Sequence, residues 1–409
     1  MKTAWICHLT YNYKVTAAFF GRQRMEREEI QRMYVSKMGG GSLTPEERMN
    51  RLRPLNDLFS MVEACLLADL VQTFRDKGIP FDARSVVKDV LKAVGSAHTS
   101  GDLHRTIIGD LNKYLEPDAR RHLRQMLSKL KDAGKEMMLV SNSQFWYVDA
   151  GMKHVVGYDW QEFFEVVIAP ASKPSFYTQD RPFREVSVRT GRIKFKPITE
   201  LLPGEVYCDG SVSELMRLKA WGYDSARKTY DGSRILYLGD SLFADLVDAR
   251  RLYGWITGAI VREIHQEMRV HKTGEWRRAR YILTALMHCL RLVQEEMGAQ
   301  STTERQAPRS RADIKLLDEL EILAERWWGK ASSYINPEFG SIFSCSRGFG
   351  TTTPSLFSMF MKRHVDLYTS RVENFRHYSP DHRFYPISTE GVNAHISEPF
   401  KDNVLEQLF

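Results

Sequence analysis

Two acidic residues follow one apolar segment and could bind a metal ion. The segment Ile235–Leu238 is followed by Gly239 and Asp240, and a second acid, Asp245, comes five residues later. Ligands bind at the carboxyl ends of strands in parallel sheets, and carboxylate oxygens there suit Mg²⁺, which completes its shell with water and phosphate. The same residues also fit a turn Asp and an acid at a helix start. This motif alone does not separate the two interpretations.

A second apolar segment ends in small polar residues that could bind phosphate. Met137–Val140 is followed by Ser141, Asn142 and Ser143, and then by a predicted helix. Hydroxyl and amide side chains, together with the free backbone N–H groups of a helix start, can hold a phosphate group. A simple helix N-cap is the competing interpretation.

A third apolar segment, Phe163–Ile168, is followed by Lys173. A Lys just beyond a buried strand can act as a point charge on a phosphoryl group, although most Lys residues are solvated surface residues. Taken together, the three segments favour a functional site over three separate structural roles, because the carboxyl ends of parallel strands lie at one edge of a sheet. That arrangement indicates phosphoryl transfer, in which catalysis is mostly positioning and charge neutralisation.

The elements that must position these residues form an alternating pattern. Apolar runs separated by segments of helical length predict βαβ units and a parallel sheet. Four such runs occur: Met137–Val140, Phe163–Ile168, Ile235–Leu238 and Trp255–Val261. Between them, Glu185–Lys196 has Val186, Val188, Ile193 and Phe195 on either side of Thr190-Gly191, which predicts a β-hairpin.

The remaining parts of the chain have a helical pattern. The predicted regions are residues 1–43, a remnant of core or cap; 44–133, a helical cap; 134–265, the α/β core with its hairpin; and 266–409, a helical C-terminal region. In the last region Ile264–Glu296 predicts one long helical tract, and Ile314–Trp328 another helix. Gly298–Arg311 is rich in Ser, Thr and Gln and predicts an exposed linker.

Composition narrows the class of protein. The 409 residues are 43% hydrophobic and 27% charged, which excludes a disordered, collagenous or disulfide-scaffold chain. The formal charge of +7 is modest for this size and does not imply nucleic acid. The five cysteines include no C-x-x-C pair, which argues against a Cys-based zinc site and favours a reducing compartment. No apolar stretch is long enough to predict a membrane span.

Basic residues near the amino end raise one alternative for localisation. Lys2, Lys14, Arg22 and Arg24 precede the first acid, Glu26, which superficially resembles a mitochondrial transit peptide. The β-rich composition of residues 10–20 favours a folded segment, and a cytoplasmic protein is the preferred prediction. Basic clusters at Arg120-Arg121-His122 and Arg277-Arg278 predict solvated helix faces, so no nucleic-acid partner is expected. No membrane partner is expected either, because every apolar stretch is too short to span a bilayer.

The three motifs resemble motifs II, III and IV of the haloacid dehalogenase (HAD) superfamily. The surrounding sequence is similar to the cytosolic purine 5′-nucleotidase family, particularly its 5′-nucleotidase-domain-containing members. The likeness covers roughly residues 15–390, in the order and spacing of the family. The matching stretches are Ser141–Trp160, Lys173–Tyr177, Arg181–Arg184, Ile235–Asp245, Gly254–Ile260 and Phe339–Phe343.

The resemblance implies a fold, a reaction and a set of site residues. The fold would be α/β, a HAD-like (Rossmannoid) parallel sheet core with a helical cap and a helical C-terminal extension. The substrate would be a nucleoside monophosphate or a related small phosphate ester, and the family's habit suggests a homo-oligomer. The implied roles are Mg²⁺ binding for Asp240, support of the metal's water shell for Asp245, phosphate binding for Ser141, Asn142 and Ser143, and neutralisation of an aspartyl-phosphate intermediate for Lys173.

The sequence departs from the family in one decisive feature. HAD phosphatases use a nucleophilic Asp and, two residues later, an acid/base Asp on the first strand of the sheet. No two Asp residues of this chain are separated by one position. Because the family carries this motif upstream of the point where Met1 aligns, the segment is expected to be missing, not mutated. Turnover should then fall by orders of magnitude, and the sheet should show unpaired edges. The alternative hypothesis is a non-catalytic regulatory or binding protein of the same fold.

A second departure concerns recognition of the base. His98 matches a cap His of the purine-specific relatives, which carry an Asp three residues earlier, where this chain has Gly95. The resemblance therefore does not extend to purine recognition, and a structural role is the preferred interpretation of His98.

Overall fold

The computed structural model describes most of the chain in segments: residues 6–9, 15–34, 43–44, 46, 52–53, 55, 58–115, 119–224, 229–303, 311–337, 340–346 and 352–384. These residues form two compact units. The first unit contains the described residues of 1–94 and 263–359, and the second contains those of 95–262 and 360–387. None of the described helices is both long and apolar enough to cross a membrane.

The strands are short and are distributed over both units. In chain order they are β1 (Ile6–Leu9), β2 (Val15–Phe20), β3 (Gln23–Arg24), β4 (Met138–Val140), β5 (Val166–Ile168), β6 (Phe183–Val186), β7 (Val206–Asp209), β8 (Tyr223–Asp224), β9 (Thr229–Tyr230), β10 (Leu236–Gly239), β11 (Ile256–Ile260), β12 (Ser344–Ser346), β13 (Thr352–Pro354) and β14 (Leu367–Thr369).

The helices flank these strands. They are α1 (Arg27–Tyr34), α2 (Leu58–Asp76), α3 (Ala83–Thr99), α4 (Asp102–Gly109), α5 (Leu111–Tyr114), α6 (Ala119–Asp132), α7 (Phe145–Val155), α8 (Ser175–Thr178), α9 (Val212–Lys219), α10 (Val247–Tyr253), α11 (Glu263–His271), α12 (Gly274–Thr303), α13 (Arg311–Ile335) and α14 (Leu356–His364). Single 3₁₀ turns occur at Trp160–Phe163, Gly232–Arg234 and Val372–His377, and a π-helical turn at Leu242–Leu246.

The second unit contains two sheets that are built mainly from parallel strands. One has the order β4-β5-β7-β6, in which only β6 is antiparallel to its neighbour, and the other has the parallel order β10-β11-β14. β4 and β10 are therefore edge strands within the described residues. The sequence predicted unpaired edges, and the two edges belong to the strands that end at Ser141 and Asp240. The structure confirms the predicted mixed α/β fold class with parallel strands.

The helix α6 packs on the sheet β4-β5-β7-β6 and stabilises it. The apolar residues of α6 face inward, where Leu123, Met126, Leu127 and Leu130 join the core cluster around Trp160. β5 is buried at all three of its residues, whereas β4 is only partly buried along its length. Packing of an amphipathic helix on a short apolar strand supplies the stability that neither element has alone.

The predicted hairpin forms and is fixed by a buried carboxylate. Val186 pairs with Ile193 across the turn. Glu185, whose side chain is only 2% exposed, forms ion pairs with Lys194 and with Lys196, the latter at 2.6 Å. These contacts hold the pKa of Glu185 down at about 2, chiefly through the Lys194 and Lys196 ammonium groups. Phe195, between the two lysines, is 92% exposed.

We expect Glu185→Gln to lower the free energy of unfolding by about 1–2 kcal/mol at neutral pH, because charge-assisted hydrogen bonds are lost. A carboxyl whose folded pKa is lowered stabilises the fold above its unfolded pKa near 4.5 and loses that contribution as the pH falls toward 2. Urea unfolding of both proteins at several pH values should therefore show a difference that shrinks with acidification. Glu200→Gln, at an exposed position, is the control, and an equal loss there would contradict the assignment.

The first unit is built from helices and a small antiparallel sheet. β1, β2 and β3 form that sheet in sequence order, and α2 is attached to it where Arg75 Nη1 donates to the Phe20 carbonyl at 2.7 Å. α12 and α13 pack along a core of Leu283, Leu290 and Ala324.

Three sequence-based boundaries differ from the structure. The tract predicted at Ile264–Glu296 is two helices, because α11 ends at His271 and Thr273 Oγ1 accepts from the Trp276 N–H at 3.4 Å at the start of α12. The linker predicted at Gly298–Arg311 is helical as far as Thr303, and α13 begins at Arg311. The predicted cap, residues 44–133, divides between the two compact units near residue 94.

Candidate functional site

The loop after β4 holds the loop after β5 through one amide side chain. Asn142 Nδ2 donates to the Lys173 carbonyl at 2.8 Å, and the Lys173 N–H donates to Asn142 Oδ1 at 2.6 Å. Ser172 takes a left-handed backbone conformation with φ 60°, which costs free energy for a residue with a Cβ. The paired hydrogen bonds fix Lys173 at the end of β5 in spite of this cost.

The ammonium group of Lys173 contacts three different elements. Nζ donates to the Val140 carbonyl at 2.9 Å and to the Tyr237 hydroxyl at 3.1 Å, and it lies 2.6 Å from Asp245 Oδ1. Burial alone would lower the pKa of Lys173, but the neighbouring Tyr237 and Asp245 outweigh burial and raise it above its ordinary value. The lysine is therefore a fixed positive charge between the ends of β4 and β10.

Asp245 lies in the π-helical turn Leu242–Leu246, where its side chain is almost completely buried. The Ser241 N–H donates to Asp245 Oδ2 at 3.1 Å, and the Asp245 N–H donates to the Ser241 carbonyl at 2.9 Å. π-helical turns are rare and occur frequently at functional sites. A Cβ at Gly239 would lie 2.5 Å from Asp245 Cβ, so glycine is required for this close approach.

The serines of the predicted phosphate site lie at the start of α7. The Ser141 N–H donates to the Ile168 carbonyl at 2.9 Å and so extends the hydrogen bonding between β4 and β5 by one residue. Ser141 Oγ accepts from the Ser143 N–H at 3.1 Å. This bond turns the chain toward α7, which begins at Phe145, and the first N–H groups of a helix have no partner within the helix. Ser141, Asn142, Ser143, Lys173 and Asp245 are thus brought together by the loops after β4, β5 and β10.

Asp240 differs from Asp245 in its environment. It follows β10 directly, its side chain is exposed, and it has no hydrogen bond or ion pair with the described residues. No group of three or more His, Cys, Asp or Glu residues that could hold a metal ion occurs in the described part of the chain. Since Asp245 is paired with Lys173, the residues present fit a magnesium ion held by one carboxylate, with water and phosphate completing the shell.

Sequence reasoning missed two tyrosines of this site. Tyr237 lies in β10 and contacts Lys173 through its hydroxyl, and the Tyr177 ring packs 6.4 Å from the Tyr237 ring. Burial raises the pKa of both hydroxyls, so they remain neutral and can only donate or accept hydrogen bonds. A hydroxyl among the apolar residues of Ile235–Leu238 was the signal that could have identified Tyr237.

Comparison with known proteins identifies the family of this chain. The model of the 5′ nucleotidase family matches residues 1–395. The chain belongs to the 5′-nucleotidase family. This result confirms the family resemblance read from the motifs.

The chain is also similar to curated relatives. The 5′-nucleotidase domain-containing protein 2 of Homo sapiens is 33% identical over 380 residues, which are 91% of this chain and 67% of that protein. The protein of the same name from Rattus norvegicus is 33% identical, with 91% and 63% covered. A 5′-nucleotidase domain-containing protein of Dictyostelium discoideum is 29% identical, with 90% and 58% covered. The chain spans 58–67% of the length of these relatives.

Membership in the 5′-nucleotidase family supports a nucleotidase-like phosphohydrolase. The two residues that the sequence comparison singled out for base recognition, Gly95 and His98, both lie in α3. A Cβ at Gly95 would meet no atom within 4 Å, so the glycine there is not required by packing.

Proposed function

We propose that this chain binds the phosphate group of a nucleoside monophosphate, or of a related small phosphate ester, with Mg²⁺ at the carboxyl ends of β4, β5 and β10. The observation that supports this most directly is Lys173, a buried cation that reaches the end of β4, the β10 tyrosine and Asp245 at once. A fixed cation beside free N–H groups is complementary to a phosphate dianion.

Each residue then has a distinct part in binding. The hydroxyls of Ser141 and Ser143 and the first N–H groups of α7 would hold phosphate oxygens, while Asn142 positions Lys173 through the paired hydrogen bonds to its backbone. Lys173 would neutralise the phosphate charge. Asp240 would bind Mg²⁺, which supplies Lewis-acid polarisation of a phosphate oxygen when it is bound.

We further propose that this chain, as it stands, turns over its ligand slowly at most. None of its 409 residues forms an Asp-x-Asp pair, so the nucleophile and the acid/base of the family are not supplied by this sequence. This observation favours the second candidate function, a non-catalytic binding protein of the same fold. A cytoplasmic location and a homo-oligomeric state remain proposals from the sequence.

Isothermal titration with a nucleoside monophosphate in the presence and absence of Mg²⁺ tests the binding site. Asp240→Asn is expected to remove the Mg²⁺ dependence, with an affinity loss of about tenfold or more, because a charged ligand becomes neutral. Phosphate release is measured in the same samples and should not rise above the blank.

Asp248→Asn is the matched control, since Asp248 lies in α10 and its ion pair among the described residues is with Arg251. Equal Mg²⁺ dependence in wild type and Asp240→Asn would contradict the metal assignment. Phosphate release that Asp240→Asn abolishes would show instead that the chain is a competent enzyme.

A further inference from the structure

An open cavity of about 750 Å³ lies along the polar face of α6. Its lining residues are Arg121, Arg124, Gln125, Ser128, Lys129, Asp132 and Arg376. The opposite face of α6 packs Met126 and Leu127 into the core, so the helix is fixed and presents this polar face consistently. The last lining residue comes from the 3₁₀ turn Val372–His377 and forms a second wall.

One of the four cations in this cavity is neutralised. Arg124 forms a two-pronged ion pair with Asp159, with both N–O distances at 2.6 Å. Its hydrogen bond to the Val156 carbonyl at 3.1 Å fixes it further. Arg124 therefore serves the local fold and is not available to a ligand.

The other three cations have no carboxylate partner among the described residues. Lys129 Nζ donates to the carbonyls of Arg376 and Tyr378, at 3.1 and 2.6 Å, which fixes the second wall but leaves the charge unneutralised. Arg376 donates from Nη1 to the Glu373 carbonyl. Arg121 is exposed. Asp132 is the only acid in the lining, so the cavity keeps an excess of positive charge.

We propose that this cavity binds a small anion with two or more linked phosphate groups. Its volume lies within the range of about 300–1,000 Å³ that is usual for small-molecule sites. Arginine forks match phosphate oxygens in geometry, and Arg121 and Arg376 lie on different walls, which suits a chain of phosphates better than a single one. Ser128 and Gln125 add hydrogen-bond donors between them. The site is independent of any hydrolysis at the loops after β4, β5 and β10.

Equilibrium titration of the full chain with inorganic tripolyphosphate and with ATP tests this site. Arg121→Ala/Arg376→Ala is expected to weaken tripolyphosphate binding by about 100-fold, because two charge-assisted donors are lost. Binding should also weaken as KCl is raised. Equal affinities for the two probes would assign the ligand to the phosphate chain alone, and tighter ATP binding would assign it to a nucleotide.

Two matched variants separate this site from general charge and from the candidate phosphate site. Arg278→Ala/Arg326→Ala removes the same charge from exposed positions of α12 and α13 and should leave binding unchanged. Ser141→Ala/Ser143→Ala shows how much tripolyphosphate binds at the candidate phosphate site, and the cavity variant should weaken binding by the same factor in that background as in the wild type. The proposal is overturned if the cavity variant binds as wild type does, or if Arg278→Ala/Arg326→Ala loses as much affinity. If the double variant does not fold, the single variant Arg121→Glu, at an exposed residue, replaces it and should also weaken tripolyphosphate binding.

Discussion

Replacing Lys173 with Met is expected to lower the free energy of unfolding by about 3–5 kcal/mol, the usual cost of breaking a buried ion pair. The side chains of Lys173 and Asp245 are only 9% and 6% exposed. Removal of the ammonium leaves the Asp245 carboxylate buried without its counter-charge, and it also removes the hydrogen bonds to Val140 and Tyr237. Urea unfolding at neutral pH measures the change.

The partner variants identify the cause of this loss. Asp245→Asn combined with Lys173→Met leaves no bare buried charge, so the double variant should lose less stability than the sum of the two single variants. Lys153→Met is the surface control, because the Lys153–Asp149 pair is at 2.7 Å but its lysine is 41% exposed, and it should cost less than about 1 kcal/mol. Equal effects at Lys173 and Lys153 would contradict the assignment of a buried charge pair.

Addition of an apolar peptide strand that ends in Asp-x-Asp is expected to raise Mg²⁺-dependent phosphate release by about 10²–10⁴-fold, the usual contribution of a positioned general acid/base. β4 and β10 are edge strands in the described part of the chain, and Lys173 contacts the end of one and a side chain of the other. An extended peptide can pair with exposed strand edges. Its final residues would then lie beside Lys173.

The control peptide carries Asn at the second Asp, the acid/base, and is otherwise identical. It should raise the thermal midpoint of the protein as much as the Asp-x-Asp peptide does, since the backbone pairing is the same, but it should not raise phosphate release. If the first peptide stabilises the protein without any gain in release, the expected role of these edges in catalysis is wrong. If neither peptide changes the thermal midpoint, the edges do not accept a strand.

Much of the α/β core was predictable because strand and helix periodicities are local properties. The predicted strands at Met137–Val140, Ile235–Leu238 and Trp255–Val261 each overlap an observed strand of similar length. The proximity of Asn142 to Lys173 followed from the rule that parallel strands end at one edge. These features depend on residue order more than on the details of side-chain packing.

Other features depend on tertiary contacts that residue order does not specify. Asp245 was expected to support a metal, but nothing in the spacing of Gly239, Asp240 and Asp245 indicates that its carboxylate pairs with Lys173. Phe195 belongs to an alternating apolar pattern that is typical of a half-buried strand, yet it is exposed, because alternation shows which residues share a face and not whether another layer covers that face. The helix that continues to Thr303 likewise differs from the linker predicted from local composition, because intrinsic propensity is only a weak guide to helix ends.

The ion pair between Lys173 and Asp245 has a consequence for how two ligands could occupy the site together. A phosphate that attracts the Lys173 ammonium weakens its hold on Asp245 and releases a carboxylate for the water shell of a nearby cation. A cation near Asp245 in turn frees Lys173 for the phosphate. This effect of each ligand on the binding of the other is a coupling free energy. The coupling of phosphate to Mg²⁺ binding must equal that of Mg²⁺ to phosphate binding. Magnesium and phosphate are therefore expected to bind cooperatively, and each would raise the affinity for the other by the same factor.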